Sequence, residues 1–317
     1  MESQYSRGAW PEVPYAITRP TLESLQLWTQ VVGKARLAGT PWVNHSWHVT
    51  LYVSARGLTT GLIPHGALGF ELEFDFISHV LVVRVSDGGY REIPLSSRSV
   101  ADFHAEVLET LTTLGVPVEI NDHPNEIPDP VPFALDTKER AYQPESAHRF
   151  WLALVQCDRF FKLFRTRFVG KCSPVHFFWG SFDLAVTRFS GRSAPLHPGG
   201  VPHLPDAVTR EAYSHEVSSA GFWPGGGDVA HAAFYSYCYP TPAGFADAVI
   251  GPSDARFDSQ LGEFVLPYDS VRNANDPDAA LLTFLQTTYE AAANAGNWDR
   301  AALEIDEGRI GQPRLVV

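Results

Sequence analysis

Apolar residues recur along the chain at spacings typical of helices in some segments and of strands in others. The first helical stripe follows Thr21, a good N-terminal cap, and predicts a helix over about residues 21–38. Its members are three or four residues apart: Leu25, Trp28, Val32 and Ala35. In Phe70–Phe76, apolar and acidic residues instead alternate with period two, which is typical of a half-buried antiparallel strand.

The pattern continues to a second helix and then stops. A strand over Val80–Val85 and a hairpin turn at Asp87–Gly89 come next. Ser99, with Asp102 three residues later, predicts the start of the second helix. Residues 116–145 contain six prolines, which interrupt regular hydrogen bonding and predict an irregular connector.

The same order of elements recurs after the connector. A helix is predicted from about Ser146, and Asp276 followed by proline opens a last helix. Between them lie three segments with strand-like composition: Val175–Thr187, Ala233–Tyr239 and Glu263–Leu266. In the first half, Trp42–Ser54 has a similar enrichment in aromatic and β-branched residues.

These elements divide the chain into a first half at residues 1–115, the connector at 116–145 and a second half at 146–317. The second half contains residues 193–231, a proline- and glycine-rich stretch predicted to be an inserted irregular loop. Both halves predict a helix, strands and a final helix.

Local phrases are also shared between the halves: Trp47 matches Trp179, and Arg56 matches Arg188. We therefore expect an α+β fold in which two related helix–strands–helix units, with antiparallel sheet, pack in one pseudo-symmetric globule. The alternative is that two α+β segments look alike without being related.

Charge and composition exclude several classes of partner. The net charge of −12 argues against nucleic acid and anionic membranes. No apolar run approaches the ~20 residues of a membrane helix, and Met1–Arg7 lacks the apolar core of a secretory signal. We therefore expect a cytoplasmic location.

The three cysteines have no C-x-x-C spacing, so neither a disulfide framework nor a zinc ribbon is predicted. No pattern indicates an oligomeric state.

Four phrases resemble a known family. They are WVNHSWHVTLYVSARGLTT at residues 42–60, a second phrase beginning GKCSPVHFFWG at residues 170–191, YSHEV at 213–217 and GFWP at 221–224. They are similar to those of the bacterial family of unknown function DUF5996, and the resemblance spans nearly the whole chain. It implies a bacterial protein but no activity, so no functional residue carries over from it.

Histidines are the first candidates for chemistry. His45 and His48 lie three residues apart, His176 occupies the matched phrase of the second half, and His215-Glu216 lies in the proline-rich stretch. Imidazoles and a carboxylate from separate segments are the ligands of catalytic divalent metals. Residues three apart on a strand point to opposite faces, so His45 and His48 converge only across a turn or bulge. The alternative is that these histidines are hydrogen-bonded within an aromatic core.

A locally basic segment is the second candidate. Residues 149–192 carry eight Lys or Arg against two acids. Lys171 and Arg188 flank the phrase that contains Trp179, which predicts an anion pocket with Trp223 and the matched Arg56 nearby. The alternative is a solvated basic face that pairs with the acidic remainder of the chain.

Two functional hypotheses follow. The first is an enzyme acting on a small anionic, partly apolar metabolite, with His176, His215 and Glu216 as acid–base or metal-binding groups. In it Arg188 holds the anion, and a divalent metal on His45 and His48 is a candidate cofactor. The second is a non-catalytic module that binds or senses a small molecule in the same pocket.

Overall fold

A computed structural model describes residues 10–227 and 229–314. The segment Met1–Arg7, in which no secretory signal is recognised, lies outside them. Seven α-helices and antiparallel sheets form the described part of the chain, and this confirms the predicted α+β class. None of these helices has the length and apolarity needed to cross a membrane.

The first half forms a six-stranded antiparallel sheet, with one helix before it and one after it in the chain. Its strands follow the order β1-β2-β4-β5-β6, and β3 pairs with β4. The elements are α1 (Tyr15–Gly39), β1 (Tyr52–Val53), β2 (Gly57–Thr59), β3 (Ile63–His65), β4 (Leu68–Asp75), β5 (Val80–Val85), β6 (Tyr90–Pro94), β7 (Arg98–Ser99) and α2 (Val100–Thr113). The predicted cap is present, since the Ser99 hydroxyl accepts a hydrogen bond from the Asp102 amide.

The connector is largely irregular, as its prolines predict. It contains one turn of 3-10 helix at Phe133–Leu135 and the short strand β8 (Glu139–Arg140), which pairs with β7. The second half begins with α3 (Pro144–Thr166) and forms the second six-stranded sheet, in the order β13-β14-β12-β11-β10-β9. Its other elements are β9 (His176–Phe178), β10 (Asp183–Ser193), α4 (Asp206–Ala212), β11 (His215–Trp223), β12 (Ala233–Tyr239), β13 (Arg256–Asp258), β14 (Glu263–Pro267), α5 (Tyr268–Arg272), α6 (Pro277–Ala295) and α7 (Arg300–Leu303).

The two sheets meet at one point between the halves. Leu51 and Phe177 exchange both backbone hydrogen bonds, at 2.9 and 2.7 Å, just before β1 and within β9. Each sheet is antiparallel and has its first strand at this contact, but the internal duplication stays a prediction. The proposed residue matches are wrong, because Trp47 precedes β1 whereas Trp179 follows β9. Likewise Arg56 lies in the turn before β2, whereas Arg188 lies within β10.

Two segments differ from their predicted structure. Residues 193–231 are not simply an inserted loop, because they contain α4 and all of β11. Small and polar residues dominate β11 and gave no strand signal, yet it is hydrogen-bonded on both sides, to β10 and β12. Conversely, Trp42–Ser54 is mostly non-strand and includes a 3-10 turn at Asn44–Ser46. The turn is held by Arg36 of α1, whose guanidinium donates to the His48 carbonyl at 2.6 Å.

The second sheet has two different faces. Its inner face is apolar and packs on α3 and α6, through residues such as Leu184, Phe222 and Phe234. Side chains alternate between faces along each strand, so the neighbours of these residues form the outer face. That outer face is the polar one, and it positions the candidate site.

We predict that Gly33→Ala destabilises the protein, although alanine in a helix interior ordinarily adds up to about 1 kcal/mol. A Cβ at Gly33 would lie 2.2 Å from Cδ1 of Trp179, which packs flat on α1 and donates to the Val49 carbonyl. Chemical denaturation should give a loss of about 1–3 kcal/mol. In a Trp179→Ala background the same change should be neutral or stabilising. Equal effects in both backgrounds would contradict this packing.

Candidate functional site

The outer face of the second sheet carries polar side chains that the connector and the turns around it cover. Asn125 of the connector donates to the His203 carbonyl at 2.7 Å, and Tyr213 bonds Tyr237 of β12 at 2.9 Å. The polar residues of the face come from four strands: Asp183, Thr187, Ser219, Tyr235, Tyr237 and Glu263. Such a buried polar surface is stable only where its groups find hydrogen-bond partners.

Asp183 is the central group of this face. Its side chain is buried, and its carboxylate accepts hydrogen bonds from the hydroxyls of Ser181 and Tyr235. Burial raises the pKa of Asp183, and the two hydroxyl donors partly oppose that rise. Within residues 10–227 and 229–314, no Lys, Arg or His forms an ion pair with it. The carboxyl group is therefore held by neutral donors alone.

Gly221 allows Tyr235 to reach Asp183. The two positions are direct partners on β11 and β12, and the phenol ring crosses the glycine towards β10. A Cβ at Gly221 would lie 2.3 Å from the Tyr235 hydroxyl oxygen and 2.6 Å from the Leu184 carbonyl oxygen. The absence of a side chain at this position is thus a geometric requirement of the Asp183–Tyr235 hydrogen bond.

Glu126 brings a second carboxyl group from the connector. Its backbone has φ +57°, which is unusual for a non-glycine residue. A Cβ at Gly180 would lie 2.2 Å from Glu126 Oε1, so the carboxyl group rests directly over that glycine. Burial raises the pKa of Glu126 to about 7, and the negative charge of Asp183 adds to the effect. This group therefore exchanges a proton near neutral pH.

Three residues on one stripe of α1 hold this part of the connector. Gln30 bonds both the amide and the carbonyl of Asn125, at 2.8 and 2.9 Å. The Lys34 ammonium donates to the Asn125 side-chain oxygen at 2.6 Å, and burial lowers its pKa to about 8. Gln26 donates to the Gly180 carbonyl at 3.2 Å. The positions are four residues apart, so one helix face fixes the strand that bears Asp183 and the connector that bears Glu126.

Glu263 lies on β14, nearer the opposite edge of the same sheet from His176. Burial raises its pKa to about 7, with smaller contributions from the negative charges of Asp183 and Asp258. Glu263 precedes Phe264, which is the partner of Ser236 on β12, and the next residue of β12 is Tyr237, whose hydroxyl bonds that of Tyr213. Two carboxyl groups that titrate near pH 7 therefore both interact with the carboxyl group of Asp183.

His176 is the predicted residue that the structure places on this face. By strand register it lies beside Ala185 and two positions from Phe178, which is opposite Asp183. The side chain is fully buried, and neither ring nitrogen has a hydrogen-bond partner in the described part of the protein. Burial lowers the pKa of His176 to about 3, so its imidazole is neutral at physiological pH.

His45, Lys171 and His215 come together at the end of the same face. His45 Nε2 lies 2.6 Å from Lys171 Nζ, and the His45 and His215 rings are 5.9 Å apart. The predicted proximity of His45 to His215 is therefore observed. His48 lies apart from them, against Trp42 and the Val43 backbone.

The structure does not assemble the predicted metal site. No three His, Cys, Asp or Glu side chains in the part of the chain that the structure describes are arranged to hold a metal ion. His45 and His48 diverge because the backbone turns between them, with φ +59° at His45 and +57° at Ser46.

The remaining predicted residues lie elsewhere. Arg188 is 1% exposed and lies on the inner face. Its guanidinium donates to the Phe164 backbone carbonyl and lies 3.5 Å from the centroid of the Phe164 ring. It is inaccessible to a ligand beside Trp179, so the predicted anion clamp at Arg188 has no geometric basis. Arg56 instead pairs with Asp75.

Glu216 also belongs to the inner side. It pairs with Arg192 at 2.6 Å and lines a shallow cleft of about 240 Å³ beside α6. Trp223 is on the outer face by register, opposite Ala233. Adjacent residues of a strand face opposite ways, so the side chains of Glu216 and His215 lie on opposite faces of the sheet. They therefore cannot act together in one catalytic site.

Sequence reasoning missed Asp183, Glu126, Tyr235 and Glu263. One signal was present: tyrosines occupy every second position of Tyr235–Tyr239, which marks one face of a strand with hydroxyl-bearing aromatics. Glu126 gave no such signal, because it lies among connector prolines far from Asp183 along the chain.

Comparison with known proteins gives one match. A family model described as "Family of unknown function (DUF5996)" matches residues 10–305. No curated protein and no solved structure matches the chain significantly.

We predict that Glu126→Gln removes part of a pH-dependent loss of stability. The folded-state pKa of Glu126 is about 7 against an ordinary value of 4.5, so its stabilising contribution is complete below about pH 4.5 and is lost as the pH rises through 7. Relative to wild type, the melting temperature of the variant should rise by about 2–6 °C between pH 5 and pH 8. Glu119→Gln, on the exposed part of the connector, is the control. Parallel pH curves for wild type and Glu126→Gln would contradict the assignment.

Proposed function

Because this chain belongs to the DUF5996 family, whose description names no activity, we propose a function from the geometry of the outer face alone. We propose that the protein is an enzyme that transfers a proton to or from a small, partly apolar metabolite bound on that face. The observation that carries the proposal is the buried Asp183 carboxyl group, which has hydroxyl donors, no cationic partner among the residues that the structure describes, and Glu126 as an electrostatic neighbour.

The two carboxyl groups suit complementary roles. A general acid or base works best when its pKa is near the working pH, which is the case for Glu126. The negative charge of Asp183 disfavours ionisation of Glu126, so the two carboxyl groups are not both easily ionised. Glu126 donates or accepts the transferred proton, and Tyr235 and Ser181 hold Asp183 in position. Carboxyl groups whose pKa is raised by burial and by each other are characteristic of catalytic sites.

His176 gives the proposed site a neutral hydrogen-bonding group. The two positions between His176 and Tyr235 in the same row of the sheet are Ala185 and Gly221. Both are small, and the Tyr235 ring covers Gly221, so Ala185 is the small position next to the imidazole. A substrate lying over Ala185 would meet the imidazole on one side and the phenol and carboxyl groups on the other. Aromatic residues around this row, such as Phe178 and Trp223, would contact its apolar part.

We predict that Asp183→Asn abolishes turnover while leaving the chain folded. Purified protein is incubated with a cell metabolite extract, and mass spectrometry follows the compounds that are consumed and formed. Asp183→Asn breaks the carboxyl pair and removes the negative charge that helps to raise the pKa of Glu126, so the reaction should slow about 10²–10⁴-fold. Tyr235→Phe should slow it less because the Asp183 carboxyl group remains. Asp158→Asn, at an ion pair on α3, is the matched control.

The outcomes separate the two functional classes. A metabolite that is consumed by wild type and by Asp158→Asn but not by Asp183→Asn supports the enzyme. A metabolite that raises the melting temperature of wild type without being consumed would instead favour the non-catalytic binding module. Equal turnover by wild type and Asp183→Asn would refute the role of Asp183.

A further inference from the structure

Lys171 is held at the edge of the second sheet in an aromatic setting. Its carbonyl accepts from the Phe189 amide at 3.0 Å, which fixes the backbone beside β10. The side chain is exposed overall, but its ammonium lies 4.7 Å from the Phe189 ring centroid and 5.3 Å from that of Trp47. Two ring faces thus orient the cation while leaving it open to solvent.

His45 fixes the direction of this cation. Its Nδ1 lies 3.0 Å from the Ala212 carbonyl, which can only accept, so Nδ1 carries the proton and Nε2 has the lone pair. The Lys171 ammonium donates to that lone pair at 2.6 Å. One of the three ammonium protons is engaged, and His215 lies alongside with its Nδ1 near the Ser214 hydroxyl. The ammonium has two further protons, and the His215 ring lies 5.9 Å from that of His45.

Lys171 differs from its neighbours in the basic segment by its partner. Arg149, Lys162 and Arg192 pair with Glu145, Asp158 and Glu216 respectively. For Lys171, the structure, which covers residues 10–227 and 229–314, has an imidazole partner and no carboxylate within ion-pair distance. In a chain of net charge −12, a lysine in such a setting is an available positive charge.

The backbone at His45 is strained to make this arrangement. His45 and Ser46 both adopt left-handed conformations, with φ +59° and +57°, which are unfavourable for non-glycine residues. The His45 side chain is nevertheless 5% exposed and hydrogen-bonded through both nitrogens. The turn therefore holds the imidazole in one orientation despite an energetic cost.

We propose that Lys171, His45 and His215 form a binding site for an oxyanion, a carboxylate or phosphate group borne by a small ligand. Lys171 donates to the anion and His215 donates a second hydrogen bond, while His45 is a positioning residue that acts through Lys171. The site lies at the His45 end of the same outer face as Asp183. It therefore names the substrate class of the proposed enzyme, and in that respect it rests on the proposed function.

The test measures anion binding directly, by isothermal titration calorimetry at constant ionic strength. Inorganic phosphate and benzoate are the two probes, so that a phosphate ligand and an apolar carboxylate are distinguished. Lys171→Met keeps an unbranched side chain against Trp47 and Phe189 but removes the charge. Lys162→Met, which removes an exposed lysine already paired with Asp158, is the matched control.

We expect at least one probe to bind wild type and Lys162→Met equally, and Lys171→Met to bind it about tenfold or more weakly. Binding should also shift the ring resonances of His45 and His215 in wild-type NMR spectra, a readout that does not depend on how well a variant folds. If neither probe binds wild type, or Lys171→Met binds as well as wild type, the site does not exist.

Asp183→Asn distinguishes this inference from the proposed function. That variant should retain anion binding, because its altered group lies on another part of the sheet face. Retained binding with lost turnover supports both proposals. If Lys171→Met keeps full anion affinity while Asp183→Asn loses turnover, the enzyme stands and the oxyanion site is refuted.

Discussion

Asp183 keeps a carboxyl group buried on the outer face of the second sheet, and burial of such a group without donors costs several kcal/mol. The hydroxyls of Ser181 and Tyr235 replace water there, and Tyr235 reaches the carboxyl group only because Gly221 has no side chain. Much of the surrounding structure follows from this constraint. The stripe on α1 that binds Asn125 and Gly180 holds the covering connector at a fixed place over the carboxyl group.

Strand β10, which bears Asp183, also buries a positively charged side chain on its inner face. Arg188, five residues after Asp183, is buried under α3 and α6, where rings of Phe164 and Tyr289 cover its guanidinium at 3.5 and 4.3 Å from the ring centroids. Burial lowers the pKa of Arg188 to about 10. Strand β10 thus buries a carboxyl group on one face of the sheet and a guanidinium on the other. Hydroxyl donors surround the carboxyl group, whereas the guanidinium has one backbone acceptor and is otherwise covered by aromatic rings. The two charges are kept apart by the sheet, so neither neutralises the other.

This separation gives the outer face its chemical character. Near Asp183 the face is acidic and rich in tyrosine hydroxyls, while at the Lys171 end it is cationic and aromatic. A ligand that spans the face meets a proton-exchanging group at one end and an ammonium at the other. Such polarity along one surface suits a metabolite with an ionised end and a less polar reactive end. The inner face, filled by apolar residues packed on helices, offers nothing comparable.

Local patterns in the sequence determined most of the secondary structure. The helices at α1, α2, α3 and α6 and the strands β4, β5 and β12 follow from period, caps and turns that neighbouring residues encode. The predicted Thr21 cap is wrong, however, because α1 begins at Tyr15 and Thr21 lies buried inside the helix. The sequence also identified His45, His176, His215 and Lys171 as candidates, because these residue types carry chemistry wherever they lie. It could not place Arg188 on the inner face or Arg56 beside Asp75, since facing depends on which strands pair and in what register.

Only the tertiary structure decided that Glu126 lies beside Asp183 and that Gly180 and Gly221 make room for the groups above them. These contacts join residues far apart in the chain, and no local period reports them. A glycine has no side chain from which its role could be predicted. Here Gly180 and Gly221 allow another side chain to approach the backbone closely, and only the tertiary structure shows which one. The helices and strands of this protein are thus determined by residues that are close together in the sequence. Its candidate site depends instead on strand register, because register determines which distant side chains share a face of the sheet.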